Sequence, residues 1–213
     1  MFTGLIEGIG TLRVQKNGRD FVRVRVEHPF QSALGIGDSV AVNGVCLTVI
    51  HQDSHSFQAE VQRTTLEKTN LKNLRGSVPV NLERALQANA RLDGHMVQGH
   101  VAGCGRFISV KKQGNNRLMR VRVTQELRQD LILEGSIAVD GISLTVAHLG
   151  SDWVDIGVIP HTWENTTLKH RHTGDLLNLE ADVLLRFARE ATGSQSSSQT
   201  ETRRRQTAFA SMM

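Results

Sequence analysis

The chain contains few of the residues that build a metal centre, a disulfide framework or a membrane segment. Cys46 and Cys104 are its only cysteines among 213 residues, and no Cys-x-x-Cys spacing occurs. This argues against structural zinc and against a disulfide-stapled fold, and it is typical of the reducing cytoplasm. No run approaches the roughly 18 apolar residues of a membrane-spanning helix, and the opening Met1-Phe2-Thr3-Gly4 lacks the features of a signal peptide. We therefore expect a cytoplasmic protein with no metal and no membrane partner.

Aromatic side chains and excess charge are also scarce. Tyrosine is absent and aromatics make up 4% of the chain, so a flat ligand would rest mainly on aliphatic and backbone surfaces. The net charge is only +4, and Arg203, Arg204 and Arg205 lie together in the Ser- and Gln-rich segment 191–213. We expect this tail to be disordered. Elsewhere arginine alternates with valine, as on the solvated face of a strand, so a nucleic-acid partner is not expected.

An internal repeat is the most informative feature of the sequence. The segment Ser39-Val-Ala-Val-Asn-Gly-Val-Cys-Leu-Thr-Val49 returns, 97 residues later, as Ser136-Ile-Ala-Val-Asp-Gly-Ile-Ser-Leu-Thr-Val146, with seven of 11 positions identical. Asn81-Leu-Glu83 returns as Asn178-Leu-Glu180 at the same offset. Glycines at the start of each half also match, Gly4 with Gly99, at an offset of 95 residues. Several matches in one order indicate a tandem duplication.

The repeat divides the chain into four parts. We expect domains at 1–95 and 96–182, a helix at 183–190 and the tail at 191–213. Each domain contains about six short alternating segments and no long helix, which favours antiparallel strands closed into a small barrel. In the two halves the first of these strands is predicted at Leu5–Val14 and Val97–Val110. The amphipathic segment 183–190 suits packing on a barrel or self-association equally well.

The two halves differ at two positions of their best-matched segment. Cys46 corresponds to Ser143, and Asn43 corresponds to Asp140. Neutral drift after duplication would explain conservative exchanges of this kind. Because the differences fall within the most constrained segment, we favour a functional origin for the Cys/Ser exchange.

These residues resemble those of the riboflavin synthases. The likeness rests on Met1-Phe-Thr-Gly4, on Asn43-Gly-Val-Cys-Leu-Thr48 with its copy Asp140-Gly-Ile-Ser-Leu-Thr145, and on Gly94-His95 and Gly99-His100. It extends from residue 1 to about residue 190. The resemblance implies an all-β fold of two tandem six-stranded antiparallel Greek-key barrels with a short C-terminal helix.

The resemblance also implies a reaction. Two molecules of 6,7-dimethyl-8-ribityllumazine give riboflavin and 5-amino-6-(ribitylamino)uracil by transfer of a four-carbon unit, without cofactor or metal. It further implies a homotrimer, with each active site between the barrels of neighbouring subunits, and a possible association with lumazine synthase. Two copies of one binding module suit two copies of one substrate.

The resemblance assigns catalytic roles to His95, Cys46, Ser143 and Asp182. His95 lies at the junction of the halves, and imidazole titrates near neutrality. Cys46 could add to the ligand as a thiolate, activate a nucleophile or only contact the ring. Asp182 has Ala85 at its repeat position, which is a further difference between the halves.

The resemblance also predicts a set of substrate contacts on both barrels. Backbone groups of the segments that begin at Gly4 and Gly99 are expected to meet the pyrimidine edge of the ligand, and Phe2 to cover the site. The predicted contacts are Phe2, Gly4, Leu5, Ile6, Ser39, Cys46, Leu47, Thr48, Thr65, Gly99, His100, Val101, Glu134, Ser143, Leu144, Thr145, Ile159 and Thr162. Glu134 departs from the family, which commonly has lysine there. A non-catalytic lumazine- or flavin-binding carrier on the same fold is therefore the main alternative, and a nucleic-acid module driven by the tail is a third.

Overall fold

The computed structural model describes residues 1–73 and 76–191, which fold mostly as β-strands. The first half forms β1 (Gly8–Asn17), β2 (Phe21–Glu27), β3 (Ser39–Val42), β4 (Val45–Thr48), β5 (His51–Gln52), β6 (Ser56–Gln62) and β7 (Ser77–Arg84). The second half forms β8 (Gly103–Gln113), β9 (Asn116–Arg122), β10 (Ser136–Val139), β11 (Ile142–Leu149), β12 (Trp153–Val158) and β13 (Leu176–Ala181). All pairings between these strands are antiparallel, as the sequence predicts.

The two halves have the same strand order. In the second half, β10-β11-β12-β9-β8-β13 closes into a barrel. In the first half the order is β4-β3-β7-β1-β2-β6-β5, with seven strands because the counterpart of β11 is interrupted between β4 and β5. At that interruption the N–H of Ile50 donates to the carbonyl of Gln58 on β6, at 2.9 Å. The first sheet therefore curls round towards closure.

The alternation of apolar and charged side chains along the strands explains why these sheets curl around an apolar interior. On β2, Val22, Val24 and Val26 are buried in the first core. The intervening Arg23 and Arg25 lie on the outer face, where Arg23 donates to Glu60. An apolar residue at every second position places all of them on one face of a strand, which removes that face from water on closure. The second barrel has its own apolar core, which adds isoleucine, Met119 and Trp163 to valine and leucine.

The helices are short and lie at the ends of strands. They are α1 (Arg63–Lys68), α2 (Gln125–Arg128), α3 (Pro160–Asn165) and α4, at 183–191. The C-terminal helix is therefore present where the sequence predicts it. The predicted disordered tail lies almost entirely outside the described residues. Within the described residues, no helix combines the length and hydrophobicity needed to cross a bilayer.

The α4 helix packs on the second barrel, which is one of the two roles that its sequence left open. Val183 is buried, and Arg189 reaches Asp130 of the second barrel at 2.9 Å. Leu184 and Phe187 nevertheless remain 59% and 58% exposed. The helix therefore packs on the barrel and also presents an apolar face to its surroundings.

Two facing hairpin turns join the barrels. Asn43-Gly44 and Asp140-Gly141 have positive φ at both residues, which is the type I′ hairpin that these dipeptides predict. The turns touch across a pseudo-two-fold axis, since a Cβ atom on Gly44 would lie 2.7 Å from the backbone nitrogen of Gly141. Glycine is therefore required at both turns by conformation and by contact.

Side-chain amides complete the contact between the barrels. Asn81 donates from Nδ2 to the carbonyl of Asp140 at 3.0 Å, and Asn178 donates to the carbonyl of Asn43 at 2.8 Å. The symmetry is broken by charge, because the fully buried Asp140 pairs with Arg171 at 2.5 Å. Burial raises the pKa of Asp140, and the Arg171 charge opposes that shift.

The predicted starting points of two strands were wrong. β1 begins at Gly8 and β8 at Gly103, rather than at Leu5 and Val97. Ahead of each strand the chain reaches the other barrel, where Gly4 accepts a backbone hydrogen bond from Ser143 and Gly99 accepts one from Cys46. This exchange builds the candidate site.

Candidate active site

The segments that open the two halves meet between the barrels. Phe2 and Val97 exchange two backbone hydrogen bonds, with N–O distances of 2.7 and 3.1 Å. The Phe2 side chain is fully buried in a small cluster that includes Val97, Ala41 and Ala138, with Cys46 packed against it. Phe2 therefore lies beneath the predicted site rather than over it, and it anchors the chain terminus between the barrels.

Each opening segment continues onto the opposite barrel. The carbonyl of Gly4 accepts from the N–H of Ser143 at 2.8 Å, and the carbonyl of Gly99 accepts from the N–H of Cys46 at 3.0 Å. Two residues later, Ile6 packs on the second core and Val101 on the first. Each barrel's outer face is therefore bordered by the opening segment of the other half.

Glycine is needed where these segments cross. Gly4 and Gly99 have φ values of +78° and +80°, a region that favours glycine. A Cβ atom on Gly4 would lie 2.6 Å from that of Ser143, and one on Gly99 would lie 2.6 Å from that of Cys46. Such distances are far below normal contact. The glycine pattern of the repeat thus marks the places where backbone approaches the two differing residues.

The two differing residues occupy equivalent outer faces. Cys46 on β4 pairs with Ala41, and the Thr48–Ser39 pair lies two residues further along the same two strands. The corresponding pairs of the second barrel are Ser143–Ala138 and Thr145–Ser136. Both threonines are exposed and both differing residues are half-buried. Two shallow polar surfaces of the same design therefore lie on the outside of the barrels.

His95 joins the second of these surfaces. Its Nδ1 lies 2.7 Å from the Ser143 hydroxyl oxygen, and its backbone N–H donates to the carbonyl of Thr3 at 3.1 Å. The side chain is buried, and its Nε2 makes no hydrogen bond to the described residues. Burial lowers the pKa of His95, while the negative charge of Asp182 opposes the shift. A neutral imidazole next to a hydroxyl can accept a proton from it or from a ligand.

Asp182 lies at the end of β13, where α4 begins. Its Oδ1 accepts from the N–H of Leu184 at 2.9 Å, so the carboxylate caps the helix. Its charge also acts on His95, which groups three of the four predicted catalytic residues at the second barrel. Cys46, the fourth, lies on the first barrel. Ala85, at the repeat position of Asp182, can supply neither the cap nor the charge.

Five of the other predicted contacts fall into two groups. Thr65, Thr162 and Ile159 lie in or next to α1 and α3, and Ile159 is 55% exposed. By contrast, Leu47 and Leu144 point into the barrel cores, so their side chains face away from the surface that bears Cys46 and Ser143.

Glu134 and Leu5 are two further predicted contacts, and both side chains are exposed. Glu134 is exposed and has a φ of +61°, and its N–H donates to the carbonyl of Val146 at 2.9 Å. Gly37, its repeat counterpart, has a φ of +95°. The second half therefore keeps a charged side chain in a backbone conformation for which the first half uses glycine. Leu5, in the crossing segment, is 46% exposed.

Two buried carboxylates were missed by the sequence interpretation. Glu83 and Glu180 hold the crossing segments through backbone N–H groups, including those of Gly4 and Gly99. The N–H groups of these glycines are therefore used within the protein, which leaves the later peptide groups of each segment to meet a ligand. Both acids were visible in the repeated Asn-Leu-Glu triplet, which gave no sign of their role.

The comparisons with known proteins identify the family. Residues 3–85 and 98–182 each match the lumazine binding domain. A chain with two such domains is a lumazine-binding protein by class. The riboflavin synthase of Actinobacillus pleuropneumoniae is 38% identical over 188 residues, covering 88% of this chain and 87% of the relative. That of Mycobacterium bovis is 40% identical over 192 residues, covering 88% and 96%. The chain belongs to the riboflavin synthase family and is therefore an enzyme, a transferase.

Solved structures show the same fold. LumP complexed with riboflavin has a TM-score of 0.78 and 21% identity to this chain. LumP complexed with 6,7-dimethyl-8-(1'-D-ribityl) lumazine has a TM-score of 0.75 and 20% identity. Each comparison covers 85% of this chain and 99% of LumP. At this identity the likeness establishes the fold.

Proposed function

We propose that the chain converts two molecules of 6,7-dimethyl-8-ribityllumazine into riboflavin and 5-amino-6-(ribitylamino)uracil. The observation that carries this proposal is the pair of equivalent outer faces, with Cys46 on one and the His95–Ser143 pair on the other. Two copies of one face can hold two copies of one ligand. Holding both substrates in a fixed geometry removes much of the entropic cost of their encounter.

The differences between the faces fit the different roles of the two substrates. One lumazine donates a four-carbon unit and is left as the pyrimidinedione, whereas the other accepts the unit and becomes riboflavin. Two identical faces would have no means of assigning these roles. The proposal therefore depends on Cys46 and Ser143 being different, and on the hydrogen-bonding contact of His95 with Ser143.

His95 is the proposed acid–base residue. The C7 methyl group of the substrate is unusually acidic, because its carbanion delocalises through the ring to a carbonyl, so a modest base suffices. Burial keeps the imidazole neutral near pH 7 by lowering its pKa, which leaves a ring nitrogen able to take a proton. Ser143 would relay that proton or activate an attacking group, and Asp182 would stabilise the imidazolium once it forms.

Cys46 keeps the three roles that the sequence allowed. Its half-buried side chain lies next to the crossing segment at Gly99. From there the thiol could add to the electrophilic C7, activate a nucleophile or contact the ring. The corresponding threonines Thr48 and Thr145 would hydrogen-bond polar ring atoms or the ribityl chain.

The expected oligomer is a homotrimer with active sites between subunits. Support for this comes from α4, which leaves Leu184 and Phe187 exposed next to the second barrel. An apolar face of this kind favours burial against another copy. A cytoplasmic location is supported by two free cysteines. Association with lumazine synthase stays a prediction.

The alternative is a carrier that binds lumazine or flavin without turnover. It is favoured by the exposed Glu134, a negative charge beside an electron-rich ligand. The two functions are separated by incubating the purified protein with 6,7-dimethyl-8-ribityllumazine alone and following flavin fluorescence. The enzyme forms riboflavin continuously until the lumazine is consumed. A carrier binds the lumazine, shifts its emission and forms no flavin.

A further inference from the structure

Both carboxylate oxygens of Glu83 accept hydrogen bonds from residues at the start of the chain. Glu83 lies on β7 and is 4% exposed. Its Oε1 accepts from the backbone N–H and the hydroxyl of Thr3, at 2.6 and 2.7 Å. Its Oε2 accepts from the N–H of Gly4 at 3.0 Å. One side chain of the first barrel therefore fixes two successive peptide groups.

Glu180 repeats this arrangement in the second half. It lies on β13 and is 6% exposed. Its two oxygens accept from the N–H groups of Gln98 and Gly99, at 2.7 and 3.1 Å. The two glutamates are related by the 97-residue offset of the repeat, and the peptides that they hold by its 95-residue offset. The presence of this arrangement in both halves of the duplication indicates that it is a property of the fold rather than an accident of one loop.

The peptides held in this way belong to the surface of the opposite barrel. Gly4, held by Glu83 of the first barrel, is hydrogen-bonded to Ser143 of the second. Gly99, held by Glu180 of the second barrel, is hydrogen-bonded to Cys46 of the first. Each glutamate is therefore linked through one glycine to the differing residue on the other barrel's outer face.

A structural role alone does not require a charged group at these positions. Among the described residues neither glutamate forms a salt bridge, and burial raises the pKa of both. Taking a carboxylate out of water is costly, whereas an apolar residue would avoid that cost but leave the two N–H groups of each segment without an acceptor. What the carboxylate adds is geometry, since two acceptor oxygens fix two successive N–H groups at once.

We propose that Glu83 and Glu180 are positioning residues for the two lumazine sites, and that each acts on the site of the opposite barrel. The inference rests on the proposed function for the identity of the ligand. Glu83 would set the position of the segment from Gly4 to Ile6 along the second site. Glu180 would set that of the segment from Gly99 to Val101 along the first.

The test measures each site separately in the full-length protein. Thr48→Trp fills the first site and Thr145→Trp fills the second, so each background retains one site for fluorescence titration with 6,7-dimethyl-8-ribityllumazine. Glu83→Gln and Glu180→Gln are then introduced into both backgrounds. Glutamine keeps the shape but replaces one acceptor oxygen with a donor that faces a backbone N–H.

The proposal predicts a crossed pattern. Glu83→Gln weakens binding about 10-fold or more at the second site and less than about 2-fold at the first, because a charge-assisted hydrogen bond is lost on one segment only. Glu180→Gln does the reverse. Equal weakening at both sites, or weakening only at the variant's own barrel, overturns the proposal.

Two further measurements keep the test decisive. If Glu83→Gln does not fold, Thr3→Val takes its place, since it removes only the hydroxyl that bonds Glu83 and the N–H of Leu5. Thr3→Val must weaken the second site alone, and any other pattern contradicts the proposal. Titration of the unsubstituted protein is the separate control on function. Failure to bind lumazine there refutes the proposed function, whereas the crossed pattern alone decides the positioning role of Glu83 and Glu180.

Discussion

The Nδ1 atom of His95 lies 2.7 Å from the hydroxyl oxygen of Ser143, which ties the junction of the two halves to the outer face of the second barrel. The first barrel has Cys46 at the position of Ser143 and no histidine in contact with it among the hydrogen bonds of the described residues. The two outer faces therefore share a backbone frame and differ in proton chemistry. Under the proposed function, this difference would allow one duplicated module to treat two identical substrates unequally.

Replacing His95 with glutamine tests the acid–base role. Glutamine can still hydrogen-bond to Ser143 but cannot take up a proton. We expect turnover to fall by about 10²-fold or more, with lumazine affinity changed only a few-fold. An unchanged rate would remove His95 from catalysis.

The pH profile of the unsubstituted enzyme gives a second measure of His95. Its pKa is lowered by burial, so the neutral, proton-accepting form persists as the pH falls through the ordinary histidine value of about 6.5. The acidic limb of kcat/KM is therefore expected below that value. His95→Gln should abolish this limb, and a limb that stays in place in the variant would show that another group titrates there.

The buried pair Asp140–Arg171 should contribute to stability because each charge neutralises the other inside the protein. Asp140→Asn leaves the guanidinium without its partner, and we expect a loss of ~3 kcal/mol in the free energy of unfolding. The amide itself is tolerated, because Asn43 makes the equivalent hydrogen bond to the N–H of Asn81 at 2.8 Å in the first half.

The double variant Asp140→Asn/Arg171→Leu is the matched control for this pair. Leucine is the residue at the corresponding repeat position, Leu74. Removing both charges should recover most of the lost stability, which denaturant titration measures as a coupling free energy. Additive losses from the two single variants would show that the pair is not coupled.

The contact between the two hairpin turns is tested with alanine. Gly44→Ala would place a Cβ atom 2.7 Å from the backbone nitrogen of Gly141, in addition to the strain of a φ of +75°. Gly37→Ala is the control, because it has a φ of +95° and nothing within 4 Å. We expect thermal denaturation to show a loss of about 1 kcal/mol for Gly37→Ala and about 2 kcal/mol more for Gly44→Ala. Equal losses of stability for Gly44→Ala and Gly37→Ala would contradict this expectation, because they would mean that the contact between the two turns adds no stability.

Much of the fold could be predicted from the sequence because its signals are local. Asn43-Gly44 and its repeat specify a hairpin through backbone conformation alone, and alternating valines specify one buried face. The offset between the two copies then gives two domains of one design. None of these inferences requires knowledge of which segments meet in space.

The crossing of the opening segments could not be predicted in this way. The segments at Gly4 and Gly99 were predicted to bring backbone groups against a ligand, but the sequence pattern gave no sign that each glycine also lies against a residue of the other barrel. Glu83 was also visible, although an acid near a strand end ordinarily faces water. Its burial follows only from the path of residues 1–4, which is set by contacts between the halves and not by neighbours in the sequence.

The most direct test of the account is the stoichiometry of the reaction with lumazine as the sole substrate. The protein is incubated with 6,7-dimethyl-8-ribityllumazine, and the lumazine consumed, the riboflavin formed and the 5-amino-6-(ribitylamino)uracil formed are quantified together by chromatography. The account predicts that two lumazines disappear for every riboflavin and every pyrimidinedione that appear. Stable lumazine binding with no riboflavin formed would contradict it.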